Sequence, residues 1–195
     1  MKRLTLIALV LIHYSLFTIH HSAAAEQRAT EGSASSTPNV IVIMADDLGY
    51  GDVGCYGAKP ENIKTPHIDQ LAAEGLQFTS GYCSASTCTP TRYSFLTGTY
   101  AFRRPNTGIA PPNSPAVVTP GTETIASILS TVGYKTAVVG KWHLGPKGFY
   151  PEQSGFDLNI GGCEKGGPGK GGYFSPYENP KIEDGPKGEY LTDRI

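Results

Sequence analysis

Ser86-Thr-Cys-Thr-Pro-Thr-Arg-Tyr-Ser-Phe-Leu-Thr-Gly98 organises the reading of this chain. Cys88, Pro90 and Arg92 form a Cys-x-Pro-x-Arg core. The pattern predicts a helix with Thr89 as N-cap, Pro90 at the first helical position and Gly98 as the stop. Cys88 then lies just ahead of a helix N-terminus. Free backbone N–H groups and the positive end of the helix dipole make such a place a site for anions. Arg92, one turn in, adds a permanent positive charge.

Two further segments carry chemistry. Asn39-Val-Ile-Val-Ile-Met44 is a continuous apolar, β-branched run, the pattern of a strand buried on both faces of a parallel sheet. Asp46 and Asp47 follow it directly. In open α/β sheets ligands gather at the carboxyl ends of strands, and two adjacent carboxylates there repel each other and call for a cation. Oxygen donors suit hard divalent ions, and Ca²⁺ accepts irregular loop geometry more readily than Mg²⁺. The second segment is Gly133-Tyr-Lys-Thr-Ala-Val-Val-Gly-Lys-Trp-His143, a strand over Thr136–Val139 that runs into Gly-Lys-x-His. If the segment stays extended, Lys141 and His143 share a face and Trp142 turns to the packed side.

The Ser86–Gly98 stretch resembles the signature of the type I, formylglycine-dependent sulfatases, and the segment ending in Lys141-Trp142-His143 resembles their second signature. The resemblance covers about residues 38–195. It implies an α/β fold similar to alkaline phosphatase, with a parallel or mixed sheet flanked by helices. It implies that a dedicated maturing enzyme oxidises Cys88 to Cα-formylglycine, and that Asp46, Asp47 and the modified Cys88 hold Ca²⁺. The catalytic residues it implies are Cys88, Arg92, Lys141 and His143. In the implied mechanism a hydroxyl of the formylglycine hydrate attacks the sulfur of a sulfate monoester. Lys141 and Arg92 then stabilise charge on the sulfuryl oxygens, and His143 removes the second hydroxyl's proton. Family members run to several hundred residues. The expectation is therefore an N-terminal portion, ending at the start of a further helix at Tyr190–Ile195, with the remaining metal ligands and the acid for the leaving group absent. Such a portion is expected to be inactive by itself and prone to aggregate.

Residues 1–25 read as a secretory signal peptide: Lys2 and Arg3, a mostly apolar run over Leu4–Ile19, and a small-residue cleavage pattern at Ala23-Ala24-Ala25. The protein is expected to be exported, to the periplasm or outside the cell, with no stable membrane anchor. Removing that segment leaves 14 basic against 17 acidic side chains, a net charge of −3. With no basic run and no basic–aromatic interleaving, nucleic acid is excluded as a partner. The partners implied are a sulfate ester, aryl or carbohydrate, and the maturing enzyme. Cys55, Cys83, Cys88 and Cys163 fit no zinc spacing.

Residues 26–37 read as a flexible leader and 38–195 as one domain. A helix is predicted from Thr65-Pro66 to Gly75 with Ile68, Leu71 and Ala72 on one face, and a short strand over 78–82. Residues 101–121, with five prolines, read as a long surface loop. Ile125, Ile128, Leu129 and Val132 repeat at helical spacing up to Gly133. From Gly145 onward the chain reads as loop, with seven glycines between Gly161 and Gly172. Three alternatives stay open: a phosphate or phosphonate monoester hydrolase of the same superfamily, a non-enzymatic fragment, and an unmodified cysteine hydrolase using Cys88 and His143.

Overall fold

Three β-forming residues, Ala137–Val139, make strand β1, which pairs in parallel with β2, Leu158–Ile160, in the register Ala137 to Leu158 and Val139 to Ile160. This is the computed structural model of the chain, and it describes residues 37–111 and 113–195. The expected signal peptide and nearly all of the expected leader lie outside the described residues. The chain divides into two units, Met1–Ala45 and Asp46–Ile195.

In the first unit the expected strand over 39–44 is not formed. These residues are in no described strand, and Val40, Ile41, Val42 and Ile43 are exposed. An apolar run becomes a buried strand only when neighbours pair with both of its edges and helices cover both faces.

In the second unit, helix α1 spans Pro66–Glu74, α2 Cys88–Thr97, α3 Ile125–Thr131 and α4 Leu191–Arg194. Helix α4 begins where the sequence placed a helix start. The N-cap of α2 is Thr87, not Thr89, so Cys88 is the first helical residue and Pro90 the third. Gly98 ends the helix as expected, in the left-handed conformation (φ 65°) with its N–H on the Ser94 carbonyl. Thr124 caps α3 through a reciprocal pair: its hydroxyl accepts from the Ser127 N–H, and Ser127 Oγ accepts from the Thr124 N–H.

The core is built where the sequence predicted loop. Tyr93 and Leu96 of α2 pack with Ala101, Ala110, Val117, Val118, Trp142, Leu144, Tyr150 and Cys163. Four of these come from residues 101–121, so that segment is not a surface loop. Its backbone is tied inward: the N–H groups of Val117 and Val118 both donate to the Leu144 carbonyl, at 2.8 and 3.3 Å. The Arg104 guanidinium donates to the Val117 carbonyl and lies over the Tyr93 ring. Prolines ended the regular elements without sending the chain to the surface, because buried carbonyls and N–H groups found partners across the loop.

The helical periodicities were real, but their apolar faces stay largely uncovered. Ile68 and Leu71 of α1 are exposed, as are Ile128 and Val132 beside α3, whose buried residue is Ala126. Helix α1 is anchored by polar contacts instead, with Asp69 accepting from the Cys55 N–H and the Thr65 hydroxyl. No strand forms over 78–82, where Phe78 and Tyr82 are exposed. After Gly145 the structure adds an unforeseen short 3-10 helix, Pro151–Ser154, and strand β2. Leu158-Asn-Ile is too short to show a period, so only its pairing reveals it.

Candidate active site

Helix α2 presents Cys88, Thr89 and Arg92 from its first turn and a quarter, and the turn after β1 presents Lys141 and His143. The turn is not the extended segment the sequence suggested. Gly140 has φ 99° and His143 φ 59°, so the backbone enters the left-handed region at both positions. Gly140 reaches that conformation without strain, whereas His143 must be held there. Extension of the β1–β2 pairing does part of the holding. The Gly140 N–H donates to the Ile160 carbonyl at 2.8 Å, and the His143 N–H to the Cys163 carbonyl at 3.0 Å. Trp142 takes the packed side, donating its indole N–H to the Phe149 carbonyl at 2.9 Å.

Asp46 joins the two elements. One of its oxygens, Oδ2, lies 2.6 Å from Lys141 Nζ and 3.0 Å from Arg92 Nη2. Arg92 also donates through Nη1 to the Lys141 carbonyl at 2.7 Å. Burial raises the Asp46 pKa, but the hydrogen bonds and charges of Lys141 and Arg92 outweigh it and hold the carboxyl below its ordinary value. Four groups expected from the sequence, charged Asp46, Arg92 and Lys141 with the imidazole of His143, thus fall in one neighbourhood, with Cys88 one helical turn before Arg92.

His143 is buried. Its Nε2 sits 2.7 Å from the Ala110 carbonyl oxygen, which can only accept, so Nε2 carries the hydrogen. Burial drives its pKa below the ordinary value, and the charges of Lys141 and Arg92 add to this against the raising effect of the Ala110 bond. The neutral ring therefore leaves Nδ1 as an unprotonated nitrogen. Nδ1 and Arg92 Nε are both buried with no hydrogen-bond partner. One is an acceptor and the other a donor, and each is a buried polar atom that the protein leaves unmatched.

The depressed His143 pKa has a consequence for stability. Between the folded value and the unfolded value of about 6.5 the unfolded chain binds more protons, so stability rises with pH there and falls on acidification. The urea midpoint at pH 5.5 is expected to lie below that at pH 7.5. The drop is expected to be smaller in His143→Gln, and an equal drop in both proteins would show that His143 does not carry it.

Asp47 is exposed, with φ 58°. Asp46 and Asp47 offer carboxylate oxygens, the donor type calcium prefers, but two side chains where it takes six to eight ligands. Among the described residues no group of three or more His, Cys, Asp or Glu side chains is gathered as a metal cluster. The donor chemistry fits calcium, and a bound ion would share Asp46 with two side-chain cations. All four cysteines are free thiols, Cys88 half-buried and Cys163 buried.

Sequence reasoning missed Thr89, Ala110 and Gly166. Thr89 is fully buried; its hydroxyl accepts from the Ala110 N–H at 3.1 Å and donates to the His143 carbonyl at 3.4 Å. Its position inside the Cys-x-Pro-x-Arg core was the available signal. Nothing in the sequence marked Ala110 or Gly166, which act through backbone position.

The sheet is a two-stranded parallel pair, and Arg92 and Lys141 gather on Asp46 beside the turn that follows β1. The Sulfatase family model matches residues 38–193, and the chain belongs to that family. It is 53% identical over 119 residues to an N-acetylgalactosamine-6-O-sulfatase of Bacteroides thetaiotaomicron, covering 60% of this chain and 23% of that protein. It is 46% identical over 128 residues to human arylsulfatase A, covering 64% of this chain and 25% of that protein. Among solved structures, Ps i-CgsB matches with a TM-score of 0.65 at 30% identity, over 80% of this chain and 39% of that one. The chain spans about a quarter of the length of these two sequence relatives. The relatives are named sulfatases, which are sulfuric ester hydrolases. Among the described residues no helix is long and apolar enough to cross a membrane.

Proposed function

We propose that this protein is the part of an exported sulfatase that carries the nucleophile and the sulfate-binding cations, acting on a sulfate monoester. The observation that carries this reading is the Asp46–Arg92–Lys141 cluster, with Cys88 one helical turn before Arg92. Its partners are an aryl or carbohydrate sulfate and the enzyme that matures Cys88.

When present, formylglycine made from Cys88 would supply a hydroxyl nucleophile toward sulfur, and Ca²⁺ held by Asp46, Asp47 and the modified residue would polarise a sulfuryl oxygen. The chain's own residues do the rest. Lys141 places a point charge and Arg92 a delocalised one against the sulfuryl oxygens. Asp46 fixes both cations, so their orientation costs little when substrate arrives. Neutral His143 offers Nδ1 as the proton acceptor for a hydroxyl at residue 88.

The test is to produce a full-length sulfatase that contains this chain together with a formylglycine-generating enzyme, digest a portion of it, and weigh the peptide carrying residue 88. Aldehyde mass and hydrazide reactivity are expected, together with faster turnover of aryl sulfate than of aryl phosphate. Turnover with an intact thiol at residue 88 would favour a cysteine hydrolase, and a preference for phosphate would favour the phosphomonoesterase reading. Either overturns the proposal.

A further inference from the structure

Thr89, Ala110 and His143 close a ring of three hydrogen bonds. The Thr89 hydroxyl donates to the His143 carbonyl, the Ala110 N–H donates to the Thr89 hydroxyl, and His143 Nε2–H donates to the Ala110 carbonyl. The ring ties together the first turn of α2, the 101–121 segment and the turn after β1. All three members, Thr89, Ala110 and His143, are buried, so none can exchange its partner for water without opening the core.

Gly166 closes the other side of the imidazole. A Cβ at this position would lie 2.7 Å from His143 Cε1, 2.9 Å from Nε2 and 3.1 Å from Nδ1. Those distances are shorter than a carbon atom tolerates, and the atoms met belong to a rigid, buried ring. Glycine here is required for space and not for backbone conformation.

We infer that Thr89 and Gly166 are positioning residues that fix the tautomer and the seat of the His143 ring. Thr89 orients the Ala110 peptide so that its carbonyl faces Nε2. That carbonyl keeps the hydrogen on Nε2 and leaves the lone pair on Nδ1, the nitrogen without a protein partner. Gly166 confines the ring so that Nδ1 cannot rotate away. Of the charged groups that act on the ring, Lys141 shares the turn of His143, Arg92 stands on α2 and Asp46 bridges the two, while the hydrogen-bond partner of Nε2 is the Ala110 carbonyl. The inference deepens the proposed role of His143, but it concerns an equilibrium of the resting protein.

It is therefore tested without turnover. In the full chain with ¹⁵N-labelled histidine, long-range ¹H–¹⁵N correlation spectra at pH 7.5 should show His143 with a protonated Nε2 and an unprotonated Nδ1. Thr89→Val, which keeps the shape and removes the hydroxyl, should shift the tautomer ratio by about fivefold, the worth of one hydrogen bond. Thr89→Ser should restore the original ratio. Gly166→Ala should move the ring resonances while the backbone spectrum elsewhere stays unchanged. A protonated Nδ1 in the unaltered protein overturns the inference, as does a folded Thr89→Val or Gly166→Ala with an unchanged His143 pattern. Should Thr89→Val not fold, the unaltered protein, Thr89→Ser and Gly166→Ala decide the matter. Failure of the aryl sulfate assay would leave these spectra standing, and the converse also holds.

Discussion

Replacing Cys88 by alanine in a full-length sulfatase that contains this chain is expected to lower aryl sulfate turnover by on the order of 10⁶-fold when it is produced with a formylglycine-generating enzyme, the loss typical of deleting a nucleophile. The expectation rests on what residue 88 does not do for the fold. It is the first residue of α2, half-buried, outside the packed core and in no disulfide. Alanine is a better helix former than cysteine, so the helix should not weaken. Arg92, Lys141 and Asp46 hold one another without it. The unchanged circular dichroism and urea midpoint of Cys88→Ala, measured beside its lost activity and lost hydrazide labelling, would separate chemistry from folding. Retention of even a hundredth of the original rate would remove residue 88 from the reaction.

Trp142→Ala is expected to cost about 3–5 kcal/mol of stability, the usual loss for deleting a buried large aromatic side chain. Trp142 is 2% exposed and meets the Phe156 ring edge-on at a centroid distance of 6.1 Å. Its indole N–H satisfies the Phe149 carbonyl, and losing that bond adds about 1 kcal/mol. Against a total stability of about 5–15 kcal/mol, the loss is a large share. A chain of this size loses about 2–4 °C per kcal/mol, so the melting temperature should fall by about 10 °C or more. Trp142→Phe keeps the ring against Phe156 and loses only the hydrogen bond, so it should fall far less. Equal melting temperatures for Trp142→Ala and the unaltered protein would mean that the packing around residue 142 does not hold the turn. The consequence reaches the site, because Trp142 lies between Lys141 and His143.

Much of the site was legible in the sequence because its groups come in local, rigid patterns. Cys88 and Arg92 stand four residues apart, and a helix puts such residues on one face whatever surrounds it. Pro90 and Gly98 bracket that helix by their own backbone restrictions. The exact start was misread because Thr87 and Thr89 are chemically alike as caps, and the choice fell to the burial of Thr89. Calcium ligation by Asp46 and Asp47 was read from two adjacent carboxylates. The structure brings out another partner set for one of them, Lys141 and Arg92, drawn from 95 and 46 positions away.

The sheet was least legible. Apolar runs at 39–44 and 78–82 have strand composition, yet a strand exists only through its neighbours, and composition does not state whether neighbours are supplied. Leu158–Ile160 had no strand signature and became one because Ala137–Val139 lies alongside it. Prolines between 101 and 121 spoke correctly against strands and α-helices, but were silent on burial and on the short 3-10 helix Ala101–Arg103.

The sequence by itself determined the helix that carries Cys88 and Arg92 and membership of the sulfatase family, since each depends on residue types at short, fixed spacing. Only the tertiary structure decided that Asp46 would lock Lys141 against Arg92, that Thr89 and Ala110 would fix the hydrogen of His143, and that Gly166 had to lack a side chain. Those outcomes depend on which distant backbone atoms come within 3 Å of a side chain, and such distances are set by the packing of the core between Tyr93 and Cys163 rather than by any local pattern.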